Sequence, residues 1–158
     1  MAFPFAPLKS KEVKELLGLI ERQWGRAPDW SSWAVFRSAK DNLYLASRDV
    51  GRLPLDQLRV TAIGCYIGEL KHGELRLSIE GSQLVGPLAT RNAADLDATE
   101  AEAWMKGLDL EKQGPWTGFV IVRYGKDCLG SGKYKDGKLL NFVPKTRRLT
   151  ELAMALAE

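Results

Sequence analysis

Cysteine and histidine, the residues that most often bind zinc, are scarce in this chain of 158 residues, which has two cysteines and one histidine. Cys65 and Cys128 form no CxxC motif and no close Cys/His ligand spacing, which argues against a metal site. A chain of this length needs no disulfide, so we expect a reduced intracellular protein, although the sequence leaves the pairing of the two cysteines open. His72 stands in a turn beside Lys71, which favours a solvated residue over a general base.

Long apolar runs are also missing. No stretch approaches the 18 consecutive apolar residues that a membrane-spanning helix requires. Residues 1–7 are apolar but broken by proline, and they lack the basic region followed by an apolar run that defines a signal peptide. We therefore expect a cytoplasmic protein with no membrane partner.

A complete phosphate-binding loop is absent as well. The segment Gly130-Ser131-Gly132-Lys133 suggests such a loop, but the motif requires glycine at position 127 and serine or threonine at 134, where this chain has Asp127 and Tyr134. A turn follows the segment, whereas a phosphate loop must open a helix so that free N–H groups meet the anion. We expect no nucleotide and no other cofactor.

Positive charge, by contrast, is concentrated near the end of the chain. Residues 121–150 contain eight basic and two acidic residues, a net charge of +6, whereas the whole chain carries +3. A solvated face is the ordinary explanation for a charge run, but a basic segment in an otherwise acidic chain is also typical of a surface that binds a polyanion.

The first third of the chain predicts a helix and a hairpin. Ser10 is positioned to cap a helix that ends at Gly25 and Pro28. Its apolar residues fall on one face at helical spacing: Val13, Leu16, Leu17, Ile20 and Trp24. Residues 33–37 and 43–47 resemble two strands joined by a turn. Residues 50–57 contain Gly51 and Pro54 and are the best linker candidate, which divides the chain into a small N-terminal α/β unit at 1–57 and a second unit at 58–158.

The second unit is richer in strands. Residues 59–70 and 74–79 flank a turn, and Leu84 with Val85 predicts a further short strand. Thr99 and Glu102 have the spacing of a capping box that begins a helix running to Lys106. The acidic cluster around this helix (Asp95, Asp97, Glu100 and Glu102) is explained by capping and by the helix dipole better than by a metal site.

The basic segment itself predicts a strand at residues 120–124, a glycine-rich ribbon, and a strand at 139–143 that Pro144 ends. A short helix is expected at 150–157. The five tryptophans (Trp24, Trp30, Trp33, Trp104 and Trp116) suggest core packing, with Trp30 and Trp116 the candidates for exposure. Several strands with two or three helices that do not alternate strictly predict a mixed α+β fold, and the strand spacing suits a small barrel.

Three motifs in the basic segment carry a resemblance to a known family. They are Leu129-Gly130-x-Gly132-Lys133, Asp136-Gly137-x-Leu139 and Asn141-Phe142-x-Pro144-Lys145-x-x-Arg148. Together they resemble the PUA-like RNA-binding domain at the C-terminus of RsmF-type and Nop/Nol-type ribosomal RNA cytosine-5 methyltransferases. The resemblance covers residues 58–149, and it includes the short acidic helix that ends at Trp104 and Gly107. It implies that a PUA-like mixed β-barrel with short helices follows the small N-terminal helix-plus-hairpin unit.

The catalytic part of that family has no counterpart in the sequence. A cytosine-5 methyltransferase needs a glycine-rich cofactor turn and a catalytic cysteine that usually follows proline, whereas Cys65 follows Gly64 and Cys128 follows Asp127. The resemblance therefore implies a stand-alone relative without the methyltransferase domain.

The implied function is non-catalytic binding of ribosomal RNA or its precursors in ribosome biogenesis or rRNA modification. The expected phosphate contacts are Lys133, Lys145, Arg147 and Arg148, then Lys126, Lys135 and Arg123, with Tyr134 as a stacking surface and Arg91 as an extension. Strand alternation places Tyr134 opposite its neighbouring lysines. The glycines of the ribbon are expected to let backbone approach the nucleic acid closely. The alternative is a protein-interaction subunit that docks onto a separate RNA methyltransferase or ribosome-assembly factor through exposed tryptophan and leucine.

Overall fold

Two five-stranded sheets and three α-helices make up the part of the chain that the computed structural model describes, residues 3–60 and 62–150. The first sheet has the order β1-β2-β3-β4-β5: β1 (Phe5–Pro7), β2 (Trp33–Ser38), β3 (Asn42–Ser47), β4 (Cys65–Lys71) and β5 (Glu74–Leu77). The second has the order β6-β8-β9-β10-β7: β6 (Ala93–Asp95), β7 (Leu110–Glu111), β8 (Gly118–Tyr124), β9 (Asp127–Lys135) and β10 (Lys138–Leu140). One sheet curls as a half-barrel, and the predicted mixed α+β fold is confirmed.

The predicted N-terminal helix is confirmed as α1 (Ser10–Trp24). Leu16, Ile20 and Trp24 are buried four residues apart on one face, and Gly25 ends the helix at a φ of 95°, which a residue with a side chain rarely adopts. The predicted cap is one residue off. Lys9 is the last residue with extended backbone, and its N–H donates to Glu12 Oε1 at 3.0 Å, so Ser10 already lies inside the helix.

The predicted hairpin is confirmed by β2 and β3, and an ion pair of 2.7 Å between Arg37 and Asp41 spans its turn. β3 also pairs with β4, so hydrogen bonding within the first sheet continues beyond residue 57. Two short 3-10 turns, Arg48–Arg52 and Leu55–Gln57, occupy the predicted linker. The division of the chain after residue 57 stays a prediction.

The predicted strand at Leu84 and Val85 is wrong, because these residues end the helix α2 (Ile79–Val85). The Oγ of Ser78 accepts a hydrogen bond from the N–H of Gly81 and so caps the helix. Ile79, Ser82 and Val85 then fall three residues apart on the buried face of the helix. The two adjacent apolar residues on which the strand was predicted do not reveal this helical spacing.

The predicted acidic helix exists as α3 (Ala98–Met105), but its capping box begins at Asp97 and not at Thr99. The N–H of Glu100 donates to Asp97 Oδ1 at 2.8 Å, and Glu100 Oε1 accepts from the N–H of Asp97 at 3.0 Å. In the sequence, the pair Asp97 and Glu100 and the pair Thr99 and Glu102 both have the spacing of a capping box. Asp97 is used because it is the residue whose backbone is still extended.

The strand β8 is buried on both faces. Val120 and Val122 pack with Trp104 and Leu139, whereas Ile121, on the other face, joins the core formed by α1 and the first sheet. Another correction concerns Trp30, a predicted candidate for exposure, which is only 4% exposed, whereas Trp33 is 46% exposed. The second predicted strand of the basic segment ends at Leu140 instead of residue 143. The helix predicted at 150–157 falls almost entirely in residues 151–158, outside the described residues.

Candidate nucleic-acid interface

The glycine-rich ribbon is β9, and its glycines make room for protein contacts. The N–H of Gly130 donates to Ser82 Oγ at 2.9 Å, and Ser131 Oγ donates to the carbonyl of Leu77 at 2.9 Å. A Cβ on Gly132 would lie 2.7 Å from the ring of Trp104. Gly130 and Gly132 are both buried, so the prediction that they let backbone approach nucleic acid is wrong.

Side chains alternate along the end of β9. Lys133 and Lys135 extend from one face of the strand, and Tyr134 extends from the other, where its ring meets Trp116 edge-on at 5.6 Å between centroids. Tyr134 is half-buried against the core that contains Trp104. The predicted opposition of Tyr134 and the lysines is therefore what the structure has.

Three of the predicted cations form ion pairs with carboxylates distant in sequence. Lys133 pairs with Glu74 at 3.1 Å, Arg147 with Glu80 at 2.6 Å, and Arg123 with Asp95 at 3.0 Å. Lys133 and Arg147 keep 38% and 46% of their side-chain surface exposed. Ion pairs this exposed contribute little to stability, so either cation can exchange its carboxylate for another anion at small cost.

Two other predicted cations hydrogen-bond to backbone carbonyls. Arg91 donates to the carbonyls of Glu21 and Arg22 and thereby satisfies the C-terminal end of α1. Arg148 donates from Nε to the carbonyl of Val143 at 3.0 Å, and its guanidinium lies over Gly107, where a Cβ would clash with it. Both side chains thus hold protein segments together.

The remaining three, Lys126, Lys135 and Lys145, are exposed, and their side chains have no ion pair or hydrogen bond within the described residues. They do not form one cluster. Lys126 precedes β9 and Lys135 ends it, and a strand of nine residues separates them by roughly 25–30 Å. Lys145 begins a 3-10 turn, Lys145–Arg147, after β10. These three lysines are close in sequence, but they are therefore spread over the surface of the protein.

Aromatic and cationic side chains that the sequence analysis did not select meet beside that turn. The guanidinium carbon of Arg76 lies 4.7 Å from the ring centroid of Phe142, and Phe142 meets Phe119 edge-on at 6.2 Å. Lys133 Nζ, in turn, lies 4.7 Å from the ring centroid of Phe119. The alternation of apolar and polar residues in β5 could have revealed Arg76 from the sequence. Leu75 and Leu77 are buried, which leaves Arg76 on the opposite face of the strand.

A cavity of about 120 Å³ opens next to Phe142 and is called the Phe142 slot below. Its polar and aromatic lining includes Tyr66, Arg76, Glu80, Phe142 and Arg147. Burial raises the pKa of the Tyr66 phenol, which therefore stays neutral and able to donate a hydrogen bond.

The described residues offer little to covalent or metal chemistry. Burial raises the pKa of the Cys128 thiol, and burial together with Glu80 raises that of Cys65, so the nucleophilic thiolate is disfavoured at both positions. Both cysteines are free thiols.

In residues 3–60 and 62–150, no group of three or more His, Cys, Asp or Glu side chains is arranged to hold a metal ion. None of the helices in these ranges is long and apolar enough to span a membrane. His72 is exposed in the β4–β5 turn, as predicted.

Fold and surface together define a mixed α+β chain with exposed basic side chains near the end of its described residues. Residues 91–149 match the family model described as the PUA domain of the methyltransferase RsmF, which confirms the resemblance found in the sequence. Over these residues the chain is similar to the RsmF-type PUA domain.

The relatives carry one name, ribosomal RNA small subunit methyltransferase F. The protein of Aeromonas salmonicida (strain A449) is 31% identical over 144 residues, which is 90% of this chain and 29% of that protein. The protein of Aeromonas hydrophila is 30% identical over 150 residues, with 90% and 29% covered. That of Vibrio cholerae is 24% identical over 150 residues, with 90% and 30% covered. The chain thus spans about 29% of the length of these relatives.

Proposed function

We propose that this chain is a non-catalytic RNA-binding protein that acts on ribosomal RNA or its precursors during rRNA modification or ribosome biogenesis in the cytoplasm. One observation carries the proposal: the match to the RsmF PUA domain, residues 91–149, contains nearly all of the segment with a net charge of +6. Cations on a rigid sheet are suited to phosphate contacts, which supply most of the affinity for nucleic acid.

The structure divides the predicted contacts by what each cation already binds. The side chains of Lys126, Lys135 and Lys145 have no partner among residues 3–60 and 62–150 to give up, and they are the first phosphate contacts. Lys133 and Arg147 follow, because their ion pairs are exposed. Arg91, Arg123 and Arg148 hold protein segments in place, and they contribute to RNA binding mainly through the electrostatic field of their charges. Selectivity comes from RNA shape and 2′-hydroxyl groups.

The test is the triple variant Lys126→Ala, Lys135→Ala and Lys145→Ala, measured for binding to a structured rRNA fragment at several salt concentrations. If each lysine contacts one phosphate, affinity falls and the slope of log affinity against log salt loses about two units at single-strand scaling. The matched control removes Lys11, Lys14 and Lys40, which are also exposed but lie outside the PUA-like region. Equal weakening by the control would mean that only general positive charge binds RNA.

The absence of catalysis is part of the proposal. It is supported by the raised pKa of both thiols and by a match that spans about 29% of the length of the relatives. Calorimetry with the methyl donor S-adenosylmethionine should give no heat of binding, and RNA incubated with the protein and a labelled donor should acquire no label. Transfer of methyl groups would contradict the proposal.

A second candidate function is docking onto a separate RNA methyltransferase or a ribosome-assembly factor. It is favoured by an apolar groove of about 650 Å³ between α1, β2 and the turn at residues 48–52. Trp33, which lines the groove, is 46% exposed, and Leu53, two residues after Gly51 of the lining, is 53% exposed. Such exposed apolar side chains are typical of interaction sites. The test is binding to a purified RsmF-type methyltransferase domain, which Trp33→Ala should weaken at least tenfold while leaving RNA affinity unchanged.

A further inference from the structure

We propose that the Phe142 slot binds a single unpaired base of RNA, so that the protein recognises a single-stranded nucleotide next to its phosphate contacts. This inference rests on the proposed RNA-binding function and adds the class of ligand that one particular cavity takes. Tyr66 and Arg76, which help to line the slot, lie outside both the basic segment and residues 91–149.

The walls of the slot are suited to a flat ring. Phe142 is 38% exposed, Tyr66 is half-buried, and Ile79 adds apolar surface to the cavity. Arg76 is fixed in the stacked position over Phe142, because its Nη2 is held by Glu69 at 2.7 Å. Aromatic faces and guanidinium planes are the surfaces on which proteins stack unpaired bases.

The rim of the slot carries groups that fit the edge of a base. Arg147 and Glu80 form their ion pair there, so that a guanidinium donor and a carboxylate acceptor lie side by side. A base presents both donors and acceptors along its edges, which such a pair is able to satisfy. Lys145 lies two residues before Arg147, exposed and without an ion pair to any residue that the structure describes, where it supplies a cation for the adjoining phosphate.

The size of the slot favours single-stranded RNA. The cavity of about 120 Å³ is lined by residues from β4, β5, α2, β9 and the segment after β10, and it has room for one ring system only. Bases inside an A-form helix are stacked on both faces and are inaccessible to such a cavity unless they are flipped out. An unpaired base in a loop or at an end of the RNA enters the slot without the free-energy cost of flipping a base out of a helix.

The experiment compares binding of a single-stranded ribonucleotide octamer and an RNA duplex of the same length to the whole chain and to Phe142→Leu. Leucine keeps the apolar contact with Phe119 and removes the ring. The expected result is a loss of about fivefold to a hundredfold in affinity for the single strand, as for one stacked base, with an unchanged salt slope. The control is Tyr124→Leu, an aromatic residue 43% exposed at the end of β8, which should leave affinity unchanged.

A second measurement leaves the protein unaltered. Replacing each nucleotide of the octamer in turn by an abasic one should reduce affinity fivefold or more at one position and little elsewhere. If wild-type protein binds RNA but neither Phe142→Leu nor any abasic position matters, the slot assignment is overturned and the electrostatic proposal stands. If wild-type protein binds neither RNA at low salt, both proposals fail.

Discussion

At the scale of the residue, two cations three positions apart differ in what they contact. Arg148 donates to the carbonyl of Val143 and covers Gly107, whereas the side chain of Lys145 is exposed and unpaired within the part of the chain that the structure describes. We expect Arg148→Ala to lower the free energy of unfolding by about 1–2 kcal/mol, because it removes a charged hydrogen bond and packed methylene groups. Urea denaturation measures the change.

The matched control for this prediction is Lys145→Ala, which should change stability by less than about 0.5 kcal/mol. Arg148→Ala should also weaken RNA binding less than Lys145→Ala does in protein that remains folded. A variant of Arg148 as stable as wild type would show that this arginine is an ordinary surface cation.

A second prediction at this scale concerns the glycines. Gly132→Ala should lower the free energy of unfolding by about 1–3 kcal/mol, because the new Cβ would lie 2.7 Å from Trp104 and 2.8 Å from the carbonyl of Leu140. Gly51 has no atom within 4 Å of the corresponding position, so Gly51→Ala should be close to neutral. Thermal unfolding of the two variants distinguishes a packing requirement at Gly132 from a general effect of removing glycine.

At the scale of the element, the start of α3 gives the sharpest test. Asp97→Ala removes the side chain that accepts from the N–H of Glu100 and should cost about 1 kcal/mol of stability. Thr99→Ala, the change that the sequence alone would have chosen, should be nearly neutral, because Thr99 is an exposed residue within the first turn. The two unfolding curves should differ in midpoint and agree in slope. The same midpoint for both variants would contradict the assignment of the cap.

Elements with a strong local signal could be predicted from the sequence. The apolar spacing of Leu16, Ile20 and Trp24 predicted α1, and turn residues predicted the hairpin of β2 and β3. Elements that form because of contacts between residues distant in sequence could not be predicted in this way. Val85 reads as a strand residue, yet α2 forms because Ser78 caps it and its buried face packs against β4 and β9.

The candidate site shows the same limit. The cations were visible in the sequence, but their partners were not: Glu74 is 59 residues from Lys133, and Glu80 is 67 residues from Arg147. The Phe142 slot was missed for a similar reason, because Arg76 and Phe142 meet only when β5 and the end of the second sheet are brought together. Local patterns carry periodicity and charge, whereas pairing across the molecule depends on the fold.

At the scale of the whole molecule, the unpaired lysines lie at both ends of β9 and beside the slot, so RNA that contacts all of them must extend across the second sheet. The rest of the chain, outside residues 121–150, carries a net charge of −3, which disfavours nonspecific attachment elsewhere. Binding should therefore depend on how many phosphates meet this surface.

The most direct measurement of this claim is the affinity of the wild-type protein for structured rRNA as a function of salt. Three phosphate contacts from the unpaired lysines, and up to five when Lys133 and Arg147 exchange their partners, predict a slope of log affinity against log salt of about −2 to −4. A flat dependence on salt, or no binding at low salt, would contradict RNA binding by this surface and leave docking onto a protein partner as the function to pursue.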